Sequence, residues 1–188
     1  MAQDKPDTSE AQDIEGRPGY KKLANGIILG PDGKPCRTCN DVASLFAMSG
    51  KLPKKRAQPT ATATATAETT PTLPADCPPD VEALGRSSWT LLHSITATYP
   101  INPSPQLQAE TKSFLSTFGK LYPCWVCAED FQKWMQKNTP RVSNRSEFGE
   151  WMCEAHNAVN EKLGKQTFDC KRWEERWRTG WKDGRCDF

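Results

Sequence analysis

Nowhere in these 188 residues is there an uninterrupted apolar run of about 18, the length a helix needs to cross a bilayer, so no segment reads as a membrane span. An excess of one charge sign is also lacking. Twenty-five basic residues face 23 acidic ones, for a net charge of +2, which gives no strong pull towards nucleic acid or acidic membranes. A basic leader is missing: Met1 to Glu15 carries five acidic positions and one lysine, wrong for a secretory signal or an Arg-rich transit peptide, and suggests a cytosolic origin. No segment reads convincingly as a strand, and there is no Gly-rich Rossmann turn. Apolar residues are scarce as well, at 36% with a mean hydropathy of -0.72, low for a chain folded throughout. Seven Trp and seven Phe are nevertheless enough to fill a compact core, so a folded domain diluted by a tail is expected.

The division along the chain follows composition. Residues 1–50 form an arm rich in turn formers (Arg17-Pro-Gly, Asn25-Gly, Gly30-Pro-Asp-Gly33), with one short amphipathic helix expected from Asp41 to Met48. Residues 51–76 contain a basic run, an Ala-Thr repeat and prolines. They have too little apolar surface to offset the entropy of ordering, so a flexible linker is expected. Residues 77–188 turn helical. Val81, Leu84, Leu91, Leu92 and Ile95 recur at helical spacing up to Pro100, and Ser104-Pro105 opens a second helix with Leu107, Phe114, Leu115, Phe118 and Leu121 on its face. A third helix runs from Cys124 to about Lys137. Ser146 is the expected cap of a fourth, which Gly164 stops, and Asp169 caps a short fifth through Trp173 and Trp177. The fold class is therefore all-α: a four-helix bundle with an additional short helix, preceded by a flexible arm.

Eight cysteines admit three readings: bound metal, redox chemistry, or an oxidising compartment reached by an unusual route. Cys124 lies just after Pro123 at a helix N-terminus, where unpaired N–H groups and the helix dipole favour a thiolate. With Cys127 it makes a dithiol that can close and reopen by exchange. The same spacing recurs at Cys36-Arg-Thr-Cys39 and is also that of a zinc ribbon, so a zinc-binding interaction module is the alternative. Against zinc stand the long linker between the pairs and the aromatic helix that carries one of them. Cys153 and Cys170 read as a structural bridge worth roughly 3 kcal/mol. Cys77 and Cys186 flank the folded region, and spacing alone leaves them free, paired within a chain or paired between chains. Arg86, Trp89 and His93 share one side of the first helix, opposite much of its apolar stripe. His156, Asn157, Asn160, Lys162 and Lys165 form a polar patch on and beyond the fourth, and the fifth adds Arg176 and Trp177. Stacking rings, amides and cations are what a dinucleotide needs in a bundle. Helical Trp residues, however, more often pack a core, and a lone His is ordinarily just hydrogen-bonded.

Several spaced motifs, taken in order, give these segments a likeness. They are Cys77-Pro-Pro-Asp, Leu84-Gly-Arg-Ser-Ser-Trp-Thr-Leu-Leu-His93, Tyr122-Pro-Cys-Trp-Val-Cys-Ala-Glu-Asp130, Cys153-Glu-Ala-His-Asn-Ala-Val-Asn-Glu-Lys-Leu-Gly-Lys165 and Phe168-Asp-Cys170. Together they resemble the Erv/ALR family of FAD-linked sulfhydryl oxidases, most closely its mitochondrial intermembrane-space, augmenter-of-liver-regeneration type. The resemblance implies that Cys127 lies next to the flavin and Cys124 is the outer thiol, that Cys36 and Cys39 are a shuttle pair on the arm, and that Cys153–Cys170 is structural. It implies an FAD site formed by Gly85, Arg86, Ser87, Trp89, His93, Cys153, His156, Asn157, Val159, Asn160, Lys162, Lys165, Arg176 and Trp177. It further implies a homodimer, with reciprocal Cys77–Cys186 bridges as in some members, in the mitochondrial intermembrane space. Electrons would come from the import oxidoreductase there and leave to cytochrome c or O2. The lack of a secretory leader and of a thioredoxin-like region argues against the secretory and quiescin-type members.

Overall fold

Prolines and cap residues set the limits of four helices in the computed structural model, which describes residues 11–41, 44 and 77–187. Helix α1 (Val81–Thr98) begins where the Asp80 carboxylate accepts the Ala83 N–H at 2.8 Å. Helix α2 (Pro105–Leu121) has proline at its first turn and Ser104 as its cap, accepting from the Leu107 N–H at 3.1 Å. Helix α3 (Trp125–Lys137) starts after Pro123 with Cys124 in the cap position. Helix α4 (Arg145–Lys162) is capped by Asn144, which accepts the Glu147 N–H at 2.9 Å. The expected cap, Ser146, already lies inside the helix, because Asn144 takes the extended backbone and supplies the oxygen two residues earlier. The fifth helix is short and irregular. A 3-10 turn at Cys170–Arg172, where Asp169 accepts the Lys171 N–H at 3.1 Å, leads into a π turn at Glu175–Thr179.

The chain divides into two compact units, Met1–Leu84 and Gly85–Phe188. In the second, all four helices meet around Leu92, Leu115, Phe148, Trp151 and Met152, each at most 2% exposed, and this is the bundle that the apolar spacing predicts. Trp151 packs its ring at 5.3 Å from Trp134 and at 6.4 Å from Phe131 of α3, and its Nε1–H donates to the Asn138 carbonyl at 3.0 Å. Its large apolar body is thus buried without stranding its polar atom. On α4, Gly149 has no room for a side chain: a Cβ there would fall inside the indole of Trp173, which is 3% exposed. That contact presses the chain before the π turn onto α4.

Two stripes differ from expectation. On α1 the buried positions are Leu92, His93, Thr96 and Ala97, so His93 belongs to the interior rather than to a face opposite the apolar stripe. On α2 the apolar stripe is wider than the part buried within this chain. Phe114 is 40% exposed and Leu121 76%, and Leu91 of α1 is 56% exposed.

In the first unit the arm contains strands, although no segment there reads as a strand in the sequence. β1 (Gln12–Asp13), β2 (Lys21–Lys22) and β3 (Ile28–Leu29) form an antiparallel meander, with Asp13 opposite Lys21 and Lys22 opposite Ile28. Two-residue strands are too short for alternation to register; the turns hold them. Between β2 and β3 the Leu23 N–H donates to the Ile27 carbonyl at 2.8 Å across Asn25-Gly26, with Gly26 at φ +87°. Leu23, Ile27 and Leu29 bury one small apolar cluster. The helix expected from Asp41 to Met48 and the linker at 51–76 lie outside the described residues, apart from Asp41 and Ser44.

Candidate functional site

Helix α3 presents its cysteines by the logic of a helix start. Cys124 occupies the cap position with extended backbone, and its Sγ accepts the Cys127 N–H at 3.3 Å. Cys124 and Cys127 are joined in a disulfide, their Cα atoms 5.3 Å apart. On reduction, the N–H groups and dipole of the first turn stabilise a thiolate at the cap. The exposures run opposite to the expected roles. Cys124, the expected outer thiol, is 1% exposed because it folds back onto the helix start, whereas Cys127 is half-buried. The turn before Cys124 is tied down as well. Tyr122 packs 5.4 Å from Phe118, and its hydroxyl is hydrogen-bonded to Ser88 of α1, which works against the rise that burial imposes on the phenol.

A second constellation joins α1, α4 and the π turn. Trp89 stacks on His156 at 4.2 Å and 4°, and His93 stacks on Trp177 at 4.4 Å and 6°. The two imidazoles share a hydrogen bond between His93 Nε2 and His156 Nδ1 of 3.0 Å. The Arg176 guanidinium lies 4.4 Å over Trp177. Burial first, then the charges of His156 and Arg176, lower His93 from 6.5 to about 3; burial and Lys165 lower His156 to about 4. Both rings are therefore neutral near pH 7. His93 Nδ1 is buried and has no hydrogen-bond partner. A buried polar nitrogen beside flat aromatic faces, with cations at the rim, fits a planar polar ring carrying phosphates.

The pH dependence follows from these two groups. The unfolded chain binds two protons below about pH 6.5 that the folded chain refuses, so their contribution is complete above that pH. It is lost as pH falls through 6.5 towards about 4 and about 3. Thermal melts should show Tm dropping from pH 7 to pH 4, and dropping less in His93→Gln. A Tm that is flat across this range, or equal drops in the two proteins, would contradict the assignment.

The other expected residues differ in what holds them. Asn157 is committed to structure: its amide donates to the Phe168 carbonyl at 2.8 Å and to Cys170 Sγ at 3.3 Å, and its oxygen accepts the Phe168 N–H at 2.8 Å. Cys153, 3% exposed, is bridged to Cys170, and Lys162 is ion-paired to Asp130. Val159 and Asn160 are half-buried, and the Asn160 carbonyl accepts the Lys165 N–H at 2.8 Å, fixing where that lysine leaves the helix. Arg86 and Ser87 are exposed; with Thr90, Leu91 and Ser94 they line a shallow depression on α1, and Gly85 next to them has open space at its Cβ position. Cys77 and Cys186 are unpaired within the chain.

In the arm, Cys36 and Cys39 form a disulfide around the 3-10 turn Arg37–Cys39. Among the described residues no three His, Cys, Asp or Glu side chains gather as metal ligands. Sequence reasoning missed Asn40, which is 6% exposed and hydrogen-bonded to the disulfide turn, although a polar amide directly after a CxxC was a signal in plain sight. It also missed the tie between Tyr122 and Ser88.

Comparison with known proteins places this geometry. Residues 86–178 match the model of the Erv1 / Alr family. The chain is 45% identical to the mitochondrial FAD-linked sulfhydryl oxidase ERV1 of Saccharomyces cerevisiae, over 90% of this chain and 93% of that protein. It is 42% identical to the Schizosaccharomyces pombe protein of the same description, over 84% of this chain and 93% of that one. The crystal structure of the FAD-binding domain of Saccharomyces cerevisiae Erv1 superposes with a TM-score of 0.54 at 57% identity, covering 55% of this chain and 98% of that domain.

Proposed function

Because the chain belongs to the Erv1/Alr family and is an FAD-linked sulfhydryl oxidase, we propose that it relays electrons from substrate dithiols through two CxxC pairs to its flavin. The observation that carries this reading is the Cys124–Cys127 disulfide at the start of α3, in the same folded unit as the neutral ring cage around His93 Nδ1. Trp89, His93, His156 and Trp177 would hold the flavin's rings, and Arg86, Lys165 and Arg176 its phosphates. When bound, FAD supplies a two-electron acceptor for the dithiol.

The chain's own cysteines do the rest by thiol exchange. A substrate dithiol reduces Cys36–Cys39, and the arm thiolate then attacks Cys124 Sγ, with Cys127 leaving as a thiolate. The second arm thiol releases Cys124 and closes the arm disulfide again, so each round moves two electrons and leaves the Cys124/Cys127 pair reduced. Since Cys124 is 1% exposed, attack requires its surroundings at the start of α3 to yield. The proposed donor is the import oxidoreductase of the mitochondrial intermembrane space, and the final acceptor is cytochrome c or O2. The mitochondrial relatives support a mitochondrial location. Purified protein should be yellow and should take up oxygen when given dithiothreitol. A colourless protein that consumes none would refute the reading.

We propose a homodimer with reciprocal Cys77–Cys186 bridges. The support is the exposed apolar set Leu91, Phe114 and Leu121, together with two unpaired cysteines. The protein should run as a covalent dimer on non-reducing gels. A Cys186→Ser variant that still did so would overturn the bridge.

A further inference from the structure

The arm's disulfide is mounted on a buried amide. Asn40 is 6% exposed in the first unit, and its side chain makes three hydrogen bonds. Its oxygen accepts the Ile28 N–H at 2.9 Å, while its nitrogen donates to the Ile28 carbonyl at 2.9 Å and to the Cys36 carbonyl at 2.7 Å. The amide thus pairs with β3 as a strand neighbour would and reaches into the redox ring through the Cys36 carbonyl. The Cys36 N–H also donates to the Ile28 carbonyl at 2.8 Å, and the Cys39 N–H donates to the Cys36 carbonyl at 3.1 Å. Both backbone polar atoms of Cys36 are therefore bound to β3, to Asn40 or to the turn itself. A buried amide with this many partners fixes one geometry, since rotating it leaves the Ile28 N–H and its own oxygen and nitrogen without partners away from water.

We propose that Asn40 is a positioning residue for the Cys36/Cys39 pair, clamping the turn to β3 so that the two sulfurs stay at bonding separation when reduced. The proposal rests on the reading of the arm as an electron shuttle. Holding two thiols together raises their effective concentration for ring closure, which favours the disulfide over the dithiol. The clamp acts on one balanced exchange: the Cys36–Cys39 disulfide and two glutathione thiols give two cysteine thiols and glutathione disulfide.

The test is the position of that equilibrium in the full-length enzyme, read by thiol alkylation and mass spectrometry across glutathione redox buffers. Asn40→Ala should make the arm disulfide about tenfold easier to reduce, a shift of about 30 mV for a two-electron couple. Asn40→Asp keeps the acceptor for the Ile28 N–H but sets an oxygen against two carbonyls, so its shift should be at least as large. Leu23→Ala loosens the apolar cluster without touching the clamp and should shift the equilibrium by less than threefold. An Asn40→Ala equilibrium within twofold of the unsubstituted protein overturns the proposal, as does an Asp variant that restores it or a Leu23 variant that shifts it equally. Exchange of the Ile28 amide hydrogen at free-chain rates in the unsubstituted protein would also overturn it. The shuttle reading is tested apart, in a Cys36→Ser, Cys39→Ser double variant. If that variant oxidises a protein dithiol at full rate the shuttle fails, while the equilibrium still decides the clamp.

Discussion

Cys127→Ser is expected to lower oxygen uptake with dithiothreitol by on the order of 10³-fold or more, while bound FAD and Tm stay close to those of the unsubstituted protein. The side chain sits in the first turn of α3 and is half-buried, and serine fills nearly the same space. What serine cannot do is accept the bond to Cys124, so the pair never stores two electrons. The companion Cys124→Ser separates chemistry from folding on this same helix. Serine is among the best residues at a cap, and the Cys127 N–H keeps an acceptor, so α3 should form normally while turnover is lost. Oxygen uptake in Cys127→Ser above a tenth of the starting rate would remove this residue from the proposed relay.

The second large effect is structural and reaches the site indirectly. In Gly149→Ala the new methyl group would occupy the Trp173 indole, and neither partner can give: the glycine is mid-helix in α4 and the ring is 3% exposed. Overpacking of this kind costs about 1–3 kcal/mol, and displacement of a buried Trp puts this case at the upper end. For a unit of this size that is a Tm loss of roughly 10 °C or more. Trp173 lies just before the turn that carries Arg176 and Trp177, so the variant should also purify with much less FAD. Melting curves and flavin absorbance measure both. A variant with unchanged Tm would show that the ring has somewhere else to go.

These two sites mark how far the sequence could be read. Helix limits were legible because proline and cap residues act locally: Ser104-Pro105, Tyr122-Pro123 and Asp169 do in the structure what their chemistry dictates. Asn144 shows the limit of that logic, since it and Ser146, two positions apart, could both cap and only backbone geometry chose between them. The interior position of His93 was not legible, because a polar ring on a helix reads as outward until a partner such as His156, 63 residues away, is seen to meet it. The arm's meander escaped for a different reason. Its strands are two residues long, and its order comes from turns, a three-residue apolar cluster and one buried amide, none of which leaves a periodic trace. The Trp173–Gly149 contact joins positions far apart in sequence, and a lone glycine inside a helix gives no sign of what fills its space.

The parallel stacking of Trp89 on His156 and of Trp177 on His93 has an optical consequence. Two of the seven indoles line the cage itself, and a flavin held there as proposed would drain their excited states. Their ultraviolet emission would then be a built-in gauge of loading, dim in the holoenzyme and brightening as cofactor leaves, with no dye or label required.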